Sequence, residues 1–336
     1  MPPKKLEGMN LPGGNMRLKY ILLPVLSLIS TIAFSTAIQA QNPKSGRNMP
    51  YGNIGWSTFL RGGYLHQFKT DIDNGGEFSV DRFFVQGGVT YSPQIRRSVS
   101  LAFGYGYDGY DFSGSSGFVA LQPWSHINSY RISMPVQWGL DEKWTLFFIP
   151  TLRFTAESGA ELDDAGHGGG FAGFTYRFSD RLTLGPGIGA VTQIEDSASI
   201  FPVLLIDWKI TDRLSLKTGR GTGATLGPGL VLDWRASEKW SLSLGGRYER
   251  LRFRLDDQGF APDGVGEDRA FPIFGGINYN HSRRFQLSLV GGIELGGKLS
   301  LDDKDGNEIV SESHDPAAFI GLAFSLRLGG KGDGHK

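Results

Sequence analysis

The chain has 336 residues with no cysteine, 49 glycines, and 34 lysine and arginine side chains against 34 acidic ones. Without cysteine it has no disulfide framework, thiolate metal site, cysteine nucleophile or lipidated N-terminal cysteine, and its balanced charge gives no reason to expect a nucleic-acid partner. Glycine is about twice its usual share, yet it is spread through strand-like segments, so nothing in the composition divides the chain into domains.

The N-terminal region has the layout of a secretory signal peptide. Met16–Lys19 is a basic start, Tyr20–Phe34 is an apolar run, and small residues at Ala37 and Ala40 offer two cleavage positions between which the sequence does not decide. We therefore predict a gene-model extension over 1–15, a cleaved signal peptide over 16–40 and a short periplasmic lead over 41–53.

From Ile54 onward, apolar side chains alternate with small or polar ones, as along a β-strand whose two faces differ. The stretch Phe285–Leu301 shows this best, because its odd positions are large and apolar or glycine and its even positions are small, polar or charged, apart from Val290. It is long for a soluble sheet, where about five or six residues is usual, but roughly 9–11 residues cross a bilayer at a tilt. We predict that all its odd positions face one way, Leu299 and Leu301 included.

The alternation predicts fourteen strands and almost no helix. Proline removes a donor from the strand ladder, so we predict bulges or strand breaks at Pro202, Pro228 and Pro272. In chain order the predicted strands are 54–68, 78–91, 99–112, 129–138, 144–155, 168–178, 182–194, 200–210, 214–220, 225–235, 240–255, 271–280, 285–301 and 317–328.

The connections alternate between short and long. The short ones follow even-numbered strands and repeat one polar pattern, seen at 141–146, 179–184, 211–216 and 237–242 and more loosely at 282–287. This asymmetry is typical of outer-membrane barrels and predicts that the short turns and both termini face the periplasm. The long connections are 69–77, 113–125, 157–167, 256–270 and 302–316.

These patterns predict an all-β fold, a transmembrane antiparallel up-and-down β-barrel of about 14 strands (12–16) over residues 54–328, with a polar tail over 329–336. Lipid cannot satisfy backbone amides, so an open sheet edge in hydrocarbon is excluded. A secreted β-sandwich or β-helix is the alternative, but its core would then carry unpaired arginines. Outward aromatic residues close to the short turns predict one girdle, formed by Trp56, Tyr91, Trp138, Trp144, Trp208, Trp234 and Trp240.

The last strand, Phe319–Leu326, has a glycine-then-aromatic pattern similar to the signal that the barrel-assembly machinery recognises, although Gly329–Lys336 follows in place of a terminal aromatic. With the repeated alternation, this strand makes Ile54–Leu328 resemble bacterial outer-membrane β-barrel proteins of functionally uncharacterised families. The resemblance implies a Gram-negative outer membrane, with lipid, lipopolysaccharide and the assembly machinery as partners. It implies nothing about activity.

Seven charged side chains fall on the predicted inward face. One interpretation is a basic-biased constriction that selects anionic solutes; an internal ion-pair network that keeps the barrel narrow is equally open. Fourteen strands lie between filled eight-stranded barrels and open sixteen-stranded porins, and many small inward residues favour a wet lumen. The seven candidates are Arg61, Arg131, Arg153, Arg247, Glu249, Glu294 and, higher in the barrel, Arg82.

Two further features admit more than one interpretation. Arg247, Arg250, Arg252 and Arg254 form a basic run that could contact lipopolysaccharide phosphate or an anionic substrate, or could be a solvated strand end. The alternation slips near Glu249–Leu251, as at a bulge. Asp303–Asn307 resembles the start of a calcium loop, but Glu308 stands at the glycine position, so we interpret it as an acidic turn.

The sequence offers no nucleophile elbow and no His-Glu-x-x-His run, so we predict neither an enzyme nor a cofactor. The function predicted from the sequence is a passive channel or transport pore for small solutes, with anions favoured under the first interpretation of the arginines. The alternatives are a closed structural or surface-binding barrel and, less favoured, an outer-membrane lipid-modifying enzyme.

Overall fold

The computed structural model describes residues 54–218 and 229–329. The predicted extension, signal peptide and lead lie outside the described residues, as do Pro228, the polar tail beyond Gly329 and the adjoining ends of the ninth and tenth predicted strands. The described residues contain no helix long and apolar enough to cross a bilayer.

Seventeen strand segments of the described chain form one sheet whose neighbours run antiparallel. They are β1 Gly55–Asp71, β2 Glu77–Gln94, β3 Arg97–Ser113, β4 His126–Ser133, β5 Val136–Gly139, β6 Trp144–Glu157, β7 Gly166–Arg177, β8 Leu182–Gln193, β9 Asp196–Lys209, β10 Leu214–Thr218, β11 Gly229–Arg235, β12 Trp240–Arg247, β13 Glu249–Arg254, β14 Val265–Asn280, β15 Phe285–Asp302, β16 Glu308–His314 and β17 Ala317–Gly329, with one 3-10 helix, Gly117–Leu121, between β3 and β4.

The sheet is closed, because β1 pairs with both β2 and β17. β4 and β5 are two halves of one wall strand interrupted at Met134–Pro135, β12 and β13 are halves of another interrupted at Tyr248, and β16 is a short strand in the last loop that pairs with β15. The seventeen segments therefore build fourteen wall strands, which confirms the predicted fold class and strand number.

The strand irregularity predicted at Pro202 is absent, one lies next to Pro272, and two strands start earlier than predicted. Pro202 lies inside β9 without ending it, and its side chain is on the exposed outer face. Pro272 lies beside a register shift between Arg269 and Phe271 of β14. β14 begins at Val265, because Glu249–Arg254 pairs with it residue by residue, so the predicted loop over 256–270 is shorter. β4 likewise begins earlier, at His126.

The repeated short turns share one side-chain cap. A hydroxyl oxygen accepts hydrogen bonds from the backbone N–H groups two and three residues later, at 3.0–3.3 Å, in the turns that start at Ser179, Thr211, Ser237 and Ser282. Asp141 does the same with a carboxylate oxygen, and the N–H groups of Trp144 and Lys143 hold its pKa below the ordinary value. The sequence repeat is therefore a repeat of local turn chemistry.

The apolar face of the wall is the exterior. Trp138, Phe148 and Leu289 are 41–50% exposed, which excludes a soluble globule with these side chains in its core. All seven predicted girdle residues are exposed and lie close to the short turns or the chain ends at the same rim. Neighbouring rings in the girdle touch: the Trp56 and Tyr91 centroids are 4.9 Å apart.

The predicted facing of Leu299 and Leu301 is wrong, because a bulge reverses the alternation of β15. Leu295 pairs with Phe271 and Lys298 with Arg269, so β15 holds one extra residue there. Gly296 has a left-handed φ of +60° at this point, as in a glycine bulge. Beyond it the odd positions turn inward, and Leu299 and Leu301 are fully buried.

These leucines belong to an apolar cluster that closes the outer end of the barrel, which we call the mouth plug. The loop between β3 and β4 folds inward and contributes Phe118, Val119 and Trp124, each at most 5% exposed. β13 reaches across the mouth to β6, where Arg254 bridges to Ala156. The other buried members of the mouth plug are Ile72, Phe78, Val80, Tyr110, Ile127, Phe253, Leu255, Ala261, Leu299 and Leu301.

We predict that Gly296→Ala destabilises the barrel by about 1–2 kcal/mol, because an L side chain is strained in the left-handed region. The added Cβ would meet no atom within 4 Å, so the backbone conformation alone is tested. Gly291→Ala in the same strand is the control, since its φ is not left-handed and its Cβ would make an ordinary 3.5 Å contact. Urea unfolding midpoints in detergent that fall equally for both variants would contradict the bulge argument.

Candidate functional site

A cavity of about 130 Å³ lies in the lumen below the mouth plug. β2, β3, β4 and β6 form one part of its wall, and β13 and β14 form another. Alternation points every second residue of these strands inward, and the bulges and breaks set their heights. The charged residues at the cavity include Arg82, Arg131, Arg153, Asp108, Glu249 and Asp268.

Four carboxylates gather around Arg82. Its guanidinium nitrogens lie 3.0 Å from Asp268, 3.4 Å from Glu249, 3.6 Å from Glu294 and 3.8 Å from Asp108. A single guanidinium cannot make short bidentate contacts to four carboxylates. We call Arg82 and these four side chains the carboxylate cluster.

Two neighbouring groups complete the cluster. Arg247, whose side chain is fully buried, donates to Glu249, and its guanidinium carbon lies 5.7 Å from the centre of the Phe274 ring. The hydroxyl of Tyr110, a member of the mouth plug, donates to Asp268 at 2.7 Å. The carboxylate cluster therefore joins the wall strands of both sides and contacts the plug above it.

Arg131 and Arg153 form a second group, the arginine pair. They are directly opposite each other in the ladder between β4 and β6, and each is 7% exposed. Within the described part of the chain, neither guanidinium has a carboxylate within 4.0 Å, and the Nε atom of each is buried without a hydrogen-bond partner. Buried polar atoms are nearly always hydrogen-bonded, so these two groups point to water or a ligand.

The seven predicted lumen residues are thus divided among different surroundings. Arg82, Glu249, Glu294 and Arg247 meet in or beside the carboxylate cluster, Arg131 and Arg153 form the arginine pair, and Arg61 donates through Nε to Gln86 at 2.7 Å. With Asp108 and Asp268 added, five arginines face four carboxylates, which is a small basic excess.

Sequence reasoning missed Asp108 and Asp268 as site residues. Asp108 was on the inward alternation of the third strand, so parity alone could have found it. Asp268 fell in a predicted loop. Continuing the inward even positions of β14 backward from Pro272 through Ala270 leads to Asp268, so the signal was present but stopped at the proline.

The three arginines of the basic run that lie on β13 are neither solvated at a strand end nor available to bind lipid phosphate. Arg250 and Arg252 both donate to Glu267, at 2.6 and 3.1 Å, and their side chains are 12% and 10% exposed. Arg254 pairs with Glu195 in the turn between β8 and β9. The reason is the path of β13, which crosses the mouth and brings these arginines against acidic residues of other strands.

Two acidic groups in the loops could be considered for metal ions. The carboxylate of Asp303 accepts hydrogen bonds from the Asn307 side chain and from backbone N–H groups, which lowers the pKa of Asp303 and accounts for it as a turn. Exposed carboxylates of Glu161, Asp163 and Asp164 come within 4.8 Å of one another. Exposed acidic loops are common without a metal, and we assign no site to either group.

No protein-family model and no curated protein sequence matches the chain. Solved structures match at low similarity. An outer-membrane channel of Pseudomonas putida F1 matches with a TM-score of 0.48 and 11% identity, over 86% of this chain and 100% of that one. The Pseudomonas putida toluene transporter TodX matches with a TM-score of 0.43 and 10% identity, over 81% and 89%.

The Ralstonia pickettii toluene transporter TbuX matches with a TM-score of 0.41 and 10% identity, over 84% of this chain and 90% of that one. At this level of similarity, the substrate of a matching protein cannot be assigned to this chain. The protein's own closed wall, exposed apolar exterior and aromatic girdle are those of a β-barrel of the bacterial outer membrane.

We predict that Arg82→Gln destabilises the barrel by about 3–5 kcal/mol, the cost of leaving buried charge without its partner. Adding Glu294→Gln to this variant removes one of the four carboxylates and should recover part of the loss. Arg181→Gln is the control, because its ion pair with Asp212 in a short turn is exposed and is worth at most about 1 kcal/mol. Equal urea midpoints for Arg82→Gln and Arg181→Gln would refute the assignment.

Proposed function

We propose that the protein is a gated channel for small solutes, whose path runs through the cavity between the arginine pair and the carboxylate cluster. The observation that supports this most is the arginine pair itself. A core built only to hold the wall together would pair these guanidinium groups or replace them with apolar side chains, because an unpaired buried charge is costly. Water or a passing solute can satisfy them.

Small inward side chains support a wet path. Gly104 and Gly106 of β3 line the cavity, and a Cβ at either position would meet its neighbours only at 3.5 Å or more. The wall therefore keeps open space beside the arginine pair where larger side chains could have filled it. This is the lining expected where solutes pass, and charged groups around it tune their selection.

The mouth plug acts as the gate in this proposal. Trp124 packs edge-on against Tyr110 and Phe253, at centroid distances of 5.8 and 5.1 Å, and Phe118 packs against Trp124 at 5.4 Å. Outward movement of the loop between β3 and β4 would remove Phe118 and Trp124 from the mouth without breaking the barrel wall. The resting channel is therefore closed at its outer end.

The second candidate is a closed structural or surface-binding barrel. The mouth plug favours it, since thirteen buried side chains seal the outer end and the loops above them are available to partners. This candidate leaves the arginine pair below the plug without a role. The two functions differ in whether removing the plug exposes a continuous path.

We predict that the double variant Phe118→Ser/Trp124→Ala conducts ions in planar bilayers far more than the nearly silent wild type. The substitutions replace two large plug rings with small side chains, and the wall strands stay unchanged. Ser115→Ala, an exposed position in the same loop, is the control and should stay silent. Heat resistance on electrophoresis would show that the double variant is folded. A folded double variant that still conducts no ions would favour the structural barrel.

In the opened double variant, we expect Arg131→Ala/Arg153→Ala to shift the reversal potential toward cations. The two guanidiniums supply the positive charge that a permeating anion meets, while the carboxylate cluster remains. Arg181→Ala at the periplasmic rim is the matched control and should leave the reversal potential nearly unchanged. If the ion selectivity does not change when both arginines are replaced, the arginine pair does not line the conduction path.

A further inference from the structure

The cavity separates its charges onto facing parts of the wall. In order around the barrel, β4 and β6 belong to the fourth and fifth wall strands, and β13, β14 and β15 belong to the eleventh, twelfth and thirteenth. Counted along the wall of fourteen strands, these two sets lie about half a circumference apart, although the upper end of β13 reaches across the mouth to β6. The arginine pair stands on the first set, and Glu249, Asp268 and Glu294 stand on the second.

The formal charges of the two sides are opposite. On the second set, Arg247 contributes one positive charge and Glu249, Asp268 and Glu294 contribute three negative ones, which leaves −2. On the first part of the wall, the charges of Arg82 and Asp108 cancel, and the arginine pair contributes +2 with no carboxylate within 4.0 Å among the described residues. A field therefore crosses the lumen at the height of the cavity, and low-dielectric walls strengthen it.

Such a field disfavours solutes that carry charge of only one sign, whether anions or cations. A simple anion that approaches Arg131 and Arg153 stays close to a cluster with an excess of carboxylates, and a simple cation meets the reverse problem. A solute with both charges aligns with the field and can satisfy both sides at once. Like-charge juxtaposition and unpaired groups are the usual means of rejecting the wrong partner.

We infer that the cavity selects small zwitterions that carry one carboxylate and one ammonium group, the chemistry of an amino acid. The carboxylate accepts hydrogen bonds from Arg131 and Arg153, which form strong charge-assisted contacts. The ammonium group donates to Glu249 or Asp268, the two carboxylates of the facing wall that line the cavity. A cavity of about 130 Å³ admits only a small side chain. This inference rests on the proposed channel.

The test uses three matched probes on the opened double variant, which gives each of them access. Alanine carries both charges, propionate lacks the ammonium group and ethylammonium lacks the carboxylate. Calorimetry in detergent measures their binding, and liposome swelling measures whether alanine passes. We expect alanine to bind about tenfold more tightly than either analogue, since each lost contact is a hydrogen bond between charged groups.

Two variants test the two sides separately. Arg131→Gln/Arg153→Gln should abolish the preference for alanine over ethylammonium, and Glu249→Gln should reduce the preference for alanine over propionate. Arg181→Gln, at an exposed turn, should change neither preference. Opposite effects of the two lumen variants are not expected from a merely structural role of these residues.

The outcomes separate this inference from the channel itself. If alanine passes but propionate binds equally well, the site is an anion site and the zwitterion inference is wrong, while the channel stands. If alanine passes without measurable binding of any probe, the inference is again wrong. If the folded, opened variant passes no solute and conducts no ions, the proposed channel fails and the inference fails with it.

Discussion

Hydrocarbon offers no hydrogen-bond partner to a peptide group, and this constraint organises the whole molecule. The described wall strands form a closed ladder, in which β1 pairs with both β2 and β17. Alternation then forces every second side chain outward into lipid and every other one inward. The exterior is therefore apolar and aromatic, and the charged and small residues lie in the interior.

Polar groups inside the barrel also need hydrogen-bond partners. The lumen is neither a packed apolar core nor a wide aqueous pore. An apolar plug closes its outer end, and a charged layer lies below, where Tyr110 reaches from the plug to Asp268. The plug excludes water from its own rings, whereas the arginine pair needs water or a solute. In the proposed channel, the plug would act as the gate above a polar layer that binds the solute.

Local irregularities decide how these layers are built. Gly296 reverses the facing of β15, so the apolar residues that would have faced lipid turn inward and join the plug. The interruption at Tyr248 separates β13 from β12, and the end of β13 crosses to β6 while the strand stays paired with β14. The same crossing buries Arg250 and Arg252 against Glu267. A regular barrel with this composition would have an open mouth and solvated arginines at its rim.

The fold, the strand number and the exterior face follow from the sequence alone, because alternation, turn caps and short-turn spacing are local properties. Parity along single strands also selected the candidate lumen residues. Three outcomes depended on the tertiary structure: the reversal at Gly296, the entry of Trp124 into the mouth and the meeting of Asp108 and Asp268 at Arg82. Each depends on which distant strands face one another across the lumen. Periodicity along one strand does not show which distant strands it will face, because only closure of the barrel brings those strands together.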